Sequence, residues 1–279
     1  MKSIILHQNN WENRKYHLIR EEKNQFNGLE NENSVEAIIE IEKLKSFEND
    51  NNLFRVSMTN YKQSNAEGMY KWVGMLHTLR KNLIISVDQN GMLDLVKNMN
   101  SVKEEWNKIK KIIDKEINDY SKYNDVLISG IENLVNDPIY FSRNLKFSYP
   151  YLYLFPPIFN KSLFSDKKEI GYRILYHLLN IKEIPIITQE YLRKYDPNNK
   201  QIEIEVEGKI DKNNFEQYKL TELIQMLKNR PRVPTIANLN YLERYQFDLN
   251  YQLSQGMCMS LLTVPGSLYR EEKTILKQI

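Results

Sequence analysis

Side chains able to act as nucleophile, general base or metal ligand are few in this sequence and widely spaced. The four histidines, His7, His17, His77 and His177, lie far apart, and Cys258 is the single cysteine. A metal site written into one segment needs short spacings such as H-x-x-x-H, H-E-x-x-H or C-x-x-C, and none occurs. Phosphate cradles need glycine at set intervals, so that backbone amides can close on the anion. The nine glycines make neither G-x-G-x-x-G nor a G-x-x-x-x-G-K followed by Ser or Thr. The expectation is a chain with no cofactor and no metal, its histidines held as hydrogen-bonded core or rim residues.

A thiol nucleophile needs a nearby base and is helped by a helix N-terminus that favours the thiolate. Around Cys258 the chain reads Gln255-Gly256-Met257-Cys258-Met259-Ser260, and all four histidines precede it. Leu261 to Val264 then continues as a strand, so a buried structural cysteine is expected. Glu40 and Glu42, and likewise Glu203, Glu205 and Glu207, alternate with apolar residues and read as water-facing rows. Glu67, Asp88 and Asp94 have no partner visible in the sequence.

Aromatic residues say more. There are 18 Tyr, 10 Phe and 3 Trp, with clusters at 147–159 and 241–251. Tyrosine joins a rigid apolar ring to a hydroxyl and is enriched at recognition surfaces. Tyr149, Tyr151, Tyr153, Phe155, Tyr241 and Tyr245 are therefore the expected partner-binding residues. The competing role for each ring is to fill the core between sheet and helix.

The elements that must position these groups show two periods. Tyr16 to Arg20, Val35 to Leu44 and Leu53 to Met58 alternate with period two, as half-buried strands do. Met69, Trp72, Val73 and Leu76 recur at helical spacing. Leu83 to Val96 flanks Asn90-Gly91 with apolar runs and reads as a hairpin. Ser101 with Glu104 has capping-box spacing, and Val102, Trp106, Ile109, Ile113 and Ile117 form one stripe of the helix that follows. A further helix spans Tyr123 to Val135, and 139–164 reads as an ordered aromatic connection. Strand-like Tyr172 to Leu179 and Gln201 to Ile210, a helix over Lys219 to Leu227 and three terminal strands between Tyr245 and Leu276 complete the chain.

Strand, strand, helix and hairpin thus occur twice, which suggests an internal pseudo-duplication. Alternating strands wet on one face imply antiparallel sheets. The expected fold class is α+β, with two curved antiparallel β-sheets and packed helices. The expected units are an N-terminal sheet-plus-helix half at 1–137 and a C-terminal half at 138–279 ending in a β-meander. Merger of both halves into one sheet is the alternative.

Composition bounds the function classes. With 41% hydrophobic residues and only 9 Gly and 9 Pro, the chain of 279 residues can bury a core and is not a disordered or fibrous protein. The 39 basic and 36 acidic residues are interleaved, and the densest basic run, Lys228 to Arg232, is short and broken by Pro231. No nucleic-acid partner is expected, because phosphate affinity comes from clustered cations. The lone cysteine fits a reducing compartment. The apolar stretch Ile4 to Leu6 is too short for a signal-peptide core, and no segment reaches a membrane span, so a cytoplasmic location is expected. Abundant Lys, Asn and Ile resemble the coding bias of an AT-rich bacterial genome.

The leading functional expectation is a non-enzymatic bacterial accessory protein that binds a peptide or protein partner. It would use a sheet edge or the aromatic-rich sheet face, for example as partner subunit of a peptide-modifying enzyme. A second expectation is a half-barrel that holds a small hydrophobic ligand or lipid. Leu83 to Ile117, a hairpin followed by a Trp-bearing helix, resembles the curved-sheet lipoprotein carriers of the bacterial envelope over about an eighth of the chain. That resemblance implies an apolar pocket under helices, but the export signal of such carriers is missing. An enzyme whose site is assembled from sequence-distant residues is the third.

Overall fold

The computed structural model describes residues 3–7, 11–26, 29–45, 52–65, 67, 69–116, 121–166, 168–178, 181–199, 201–228 and 236–279. The chain opens with β1 (Ser3–Ile5), β2 (Arg14–Phe26), β3 (Leu29–Leu44) and β4 (Asn52–Gln63). Helix α1 (Met69–His77) and a 3-10 turn (Thr78–Arg80) lead to β5 (Asn82–Val87) and β6 (Leu93–Val96). Four helices follow: α2 (Met99–Glu116), α3 (Ser121–Asn136), α4 (Pro138–Lys146) and the single turn α5 (Tyr151–Leu154). After β7 (Ser162–Phe164) come β8 (Glu169–Leu178), β9 (Ile181–Asp196) and β10 (Gln201–Ile210). Helix α6 (Gln217–Lys228) precedes β11 (Asn238–Phe247), β12 (Leu253–Val264) and β13 (Leu268–Gln278).

Eleven of these strands form one antiparallel sheet in the order β6-β5-β4-β3-β2-β13-β12-β11-β10-β9-β8, while β1 and β7 pair separately. Sequence neighbours are sheet neighbours throughout, except at the centre. There β2 meets β13, with Phe26 opposite Leu268 and Tyr16 opposite Gln278. Antiparallel sheets with helices are thus as expected, but strands dominate. In place of two comparable sheets there is one of eleven strands and one of two. Strands from both 1–137 and 138–279 enter the large sheet, because the alternation that reveals a strand does not name its partner.

Strand β10 spans the predicted residues, whereas β2 runs six residues past the predicted Arg20. Sixteen-residue β9 carries no apolar alternation over its whole length and was not expected. Helix α2 begins at Met99, two residues before Ser101. The Asn98 carbonyl accepts the Ser101 N–H at 3.0 Å, and its side chain accepts the Ile84 N–H at 2.8 Å, which ties the helix start to β5. Met99, Val102, Trp106, Ile109 and Ile113 of α2 are buried, while Ile117 lies outside the described residues. In the β5–β6 turn only Gly91 takes positive φ, at 89°, and the Asp88 carboxylate accepts the Asn90 and Met92 N–H groups at 2.9 Å each. Asp137 caps α4 by accepting the Tyr140 N–H at 2.9 Å, with Pro138 in the first turn. No helix among the described residues is long and apolar enough to cross a membrane. The loop at 46–51 and most of the basic run at 228–232 lie outside the described residues.

The core lies between one sheet face and the α2–α5 segment. Its aromatic centre joins distant strands: Trp11 sits 5.3 Å from Phe54 and 5.6 Å from Phe155, and Phe159 sits 5.8 Å from Phe247, between ring centroids. Close strand packing also needs a missing side chain at Gly208. A Cβ there would lie 2.7 Å from Ile186 Cγ2 and 2.9 Å from the Tyr241 ring. Gly208→Val is expected to destabilise the fold by roughly 1–3 kcal/mol through overpacking. Urea unfolding that gives the parent's midpoint would refute this account of β9–β10–β11 packing.

Candidate functional site

The inward positions of β2 change character along the strand. Tyr16 and Leu18 are apolar, and then Arg20 and Glu22 continue the same face. The β2–β13 register sets Glu272 opposite Glu22 and Arg270 opposite Asn24, so four charged side chains meet beneath the helices. Arg20 Nη2 lies 3.0 Å from Glu22 Oε2 and 3.1 Å from Glu272 Oε2. Arg270 Nη2 lies 3.2 Å from Glu22 Oε1, and its Nε donates to Glu272 Oε1 at 2.7 Å. Two guanidinium groups and two carboxylates thereby balance.

A third guanidinium unbalances them. Arg80, at the end of the 3-10 turn, donates from Nη1 to Ser148 Oγ at 3.4 Å, and no carboxylate among the described residues lies within ion-pair reach of it. The Tyr149 ring stacks on Arg20, with Cζ 4.2 Å from its centroid, and the Tyr149 hydroxyl hydrogen-bonds His77 Nε2. Arg20, Arg80, Arg270 and Glu272 line a recess of about 210 Å³, together with residues of α4, β8 and β12. Leu175 of β8 and Leu262 of β12 form part of its apolar wall. Arg20 Nε and His77 Nδ1 are buried with no hydrogen-bond partner.

Electrostatics follow from burial and these neighbours. Burial raises the Glu272 pKa, but Arg20 and Arg270 outweigh it and hold the carboxyl at about 2. Burial also works against charge on Arg20, yet Glu272, Tyr149 and Glu22 overcome it and raise its pKa. For Arg80 burial prevails: its pKa is lowered despite Tyr149 and Tyr151, and Arg20 adds to the lowering. It stays cationic, since guanidinium does not deprotonate in proteins. Burial, with Arg80 and Arg20 behind it, pushes His77 down to about 3, so its ring is neutral near pH 7.

A second ionic cluster lies further along the inner face. Arg173 of β8, 1% exposed, donates from Nε and Nη2 to the two Glu243 oxygens at 2.9 and 3.0 Å, and from Nη1 to Glu190 at 3.0 Å. Lys161 pairs with the other Glu190 oxygen, and the Tyr241 and Tyr245 hydroxyls donate to Glu243. Gly171 leaves room for this pairing, because a Cβ there would lie 2.2 Å from Glu190 Oε1. Two cations meet two anions with their oxygens bonded, which marks a closed structural unit. Cys258 is buried nearby, and burial, with Glu243 adding, pushes its thiol up to about 12.

The six aromatic residues expected at a partner surface lie on the covered side. Tyr149 and Tyr153 line the recess, and Tyr151 donates to the Arg80 carbonyl at 2.9 Å. Phe155 belongs to the Trp11 cluster, and Tyr241 and Tyr245 serve Glu243. Tyr149 is half-buried and the other five are buried. Charged groups beneath the helices need hydroxyl partners, and these rings supply them. The sequence reading missed Arg20, Glu22, Arg80, Arg270 and Glu272. For the four strand residues the one sequence signal was parity, since in β2 and β13 they continue the apolar inward face of Leu18 and Leu276; Arg80, in the 3-10 turn, had none.

Elsewhere, His7 lies near Asn160, and His17 pairs with Glu36 at 2.8 Å; the His177 side chain lies outside the described residues. Among the described residues no three His, Cys, Asp or Glu side chains are grouped to hold a metal ion. Compared with known proteins, the chain matches no family model and no curated protein.

Acid should act through this site. Between pH 6.5 and about 3 the unfolded chain protonates His77 while the folded chain keeps it neutral, so stability falls as pH falls. Glu272 acts in the same direction between pH 4.5 and about 2. His77→Gln should remove up to about 3 kcal/mol of the stability lost between pH 7 and pH 4. Urea titrations at both pH values check this, and an unchanged difference in the variant would sink it.

Proposed function

We propose that the protein is a binding protein whose ligand presents an anionic group to Arg20, Arg80 and Arg270. One observation carries this reading: Arg80 is a half-buried guanidinium in the wall of a recess, with only a long contact to Ser148 and no carboxylate partner among the described residues. A cation partly withdrawn from water without a counter-charge is costly, and an oxyanion in the recess would relieve that cost. Arginine suits the task because its planar fork matches carboxylate and phosphate oxygens in pairs.

A curved sheet is part of the proposal. Arg20 and Leu175 line the same recess although β2 and β8 stand six places apart in the sheet order. Laid flat, those strands would be about 29 Å apart at ~4.8 Å per step, so the shared recess supports a sheet curled around its helices. The repeated order of three strands, a helix and further strands, in β2–β6 and β8–β13, supports the reading of an internal duplication. The lipid-carrier alternative gains no such support: the apolar space beside Trp11 and Phe159 is about 30 Å³, room for a water or two.

Thermal unfolding in acetate, sulfate and phosphate, each against chloride at matched ionic strength, tests the reading. The parent should gain a few degrees in at least one oxyanion, and Arg80→Gln should not. Identical responses in the two proteins would discard it.

The peptide-binding expectation stands as a second reading, favoured by the sheet edge at β8. That ten-residue strand pairs only with β9 and leaves Ile170 81% and Tyr172 45% exposed, where edges are ordinarily short, charged or covered. A labelled peptide copying 186–192 of β9 should bind the parent and bind Ile170→Lys more weakly by fluorescence anisotropy. Absence of binding to the parent would rule out edge capture of that kind.

A further inference from the structure

Resting on the anion-binding reading, we propose that the recess selects a singly charged carboxylate carried on a small apolar body, in preference to phosphate. Charge, donor geometry and wall chemistry converge on that class.

Charge comes first. Arg20, Arg80 and Arg270 face Glu22 and Glu272, and the neighbouring His77 is neutral near pH 7. Among the described residues the cluster therefore carries one uncompensated positive charge. A monoanion closes it to neutrality. A phosphate approaching two charges would leave an excess of negative charge against Glu272, which is itself in the recess wall. That repulsion acts in a partly desolvated site, where screening by water and salt is weaker than in bulk.

Donor geometry agrees. Among the described residues the Arg20 side chain, nine-tenths buried, has an unpartnered Nε–H, and Arg80 reaches only Ser148, at 3.4 Å. Both guanidinium groups line the recess, and they come from different elements, β2 and the turn after α1, so that a carboxylate held between them would accept from both. Arg270 is already committed to Glu22 and Glu272 and supplies charge rather than free donors.

The rest of the wall is mixed, with Asn144, Ser148 and Ser260 as polar members and a larger apolar part. Leu175, Leu262, Phe147 and the rings of Tyr149 and Tyr153 surround the space left over. Its volume of about 210 Å³ corresponds to roughly seven waters at ~30 Å³ each. A short aliphatic chain or one ring fits behind the carboxylate, and a nucleotide does not. Two sources share this chemistry: a free aliphatic or aromatic carboxylic acid, and the C-terminus of a peptide that ends in an apolar residue.

Calorimetric titration of the full chain separates the outcomes. The probes are phenylacetate, acetyl-glycyl-leucine, its C-terminal amide and inorganic phosphate. Phenylacetate or acetyl-glycyl-leucine should bind at least tenfold tighter than phosphate and the amide, and Arg80→Gln should weaken that binding at least tenfold. Arg80→Lys keeps the charge without the fork and should fall between the two proteins. Preference for phenylacetate would indicate a free acid, and preference for the peptide a chain terminus; either supports the inference. Phosphate binding tighter than both carboxylates overturns the inference and leaves the anion-binding reading standing. Equal affinity for the peptide and its amide, with phenylacetate no tighter than either, also overturns it. If no anion binds the parent, both readings fail together, and this comparison of probes does not depend on any variant folding.

Discussion

The ladder between β2 and β13 is the interaction on which the rest of the molecule depends. It pairs the first long strand with the last, from Tyr16 opposite Gln278 to Phe26 opposite Leu268, and so makes one sheet of two meanders. Without it, β2 and β13 would each be an open edge carrying charged residues on the face that the helices cover. With it, Arg20, Glu22, Arg270 and Glu272 come within ion-pair distance of one another. A slip of β2 by one residue would turn Arg20 and Glu22 away from Arg270 and Glu272 and bring Ile19 and Glu21 inward, so register and charge pairing enforce each other. Closing so long a loop is entropically tolerable, because each doubling of length adds only about 0.6 kcal/mol.

Two ionic clusters share the inner face and differ in how completely they are closed. Around Arg173 every carboxylate oxygen named has a cation or a hydroxyl, and charges balance. Buried pairs of this kind contribute little net stability over an apolar equivalent, since desolvation offsets most of the attraction. Their effect is to hold β8, β9 and β11 in one arrangement. The cluster around Arg20 is open by comparison: it borders a recess, holds a third guanidinium and leaves polar atoms unpartnered. Physical closure in one place and an unmet charge in the other is what separates scaffold from site.

The tyrosines link the two. Composition suggested a surface of rings for recognition, whereas the hydroxyls of Tyr149, Tyr151, Tyr241 and Tyr245 point to groups that would otherwise be buried and unsatisfied: His77, the Arg80 carbonyl and Glu243. Their amphipathic character serves groups on the covered side, and Tyr149 and Tyr153 also line the recess. A ring that bridges an apolar helix and a buried charge has the same sequence signature as one that greets a partner.

Much of the local architecture is legible in the residues alone. The alternation of β3 and β10, the apolar stripe of α2 and the glycine turn between β5 and β6 are short-range patterns, and each follows from the geometry of its own segment. The charged half of β2 and the whole of β9 escaped, because inward charges break the apolar rhythm that betrays a strand. What the sequence determined by itself was element type, the antiparallel class and the absence of a local catalytic motif. Tertiary structure alone decided that both meanders form one sheet and that Arg80 shares a recess with Arg20 while no carboxylate among the described residues pairs with it. The reason is one of range: periodicity acts over a few residues, while strand partners and charge neighbours are chosen across hundreds.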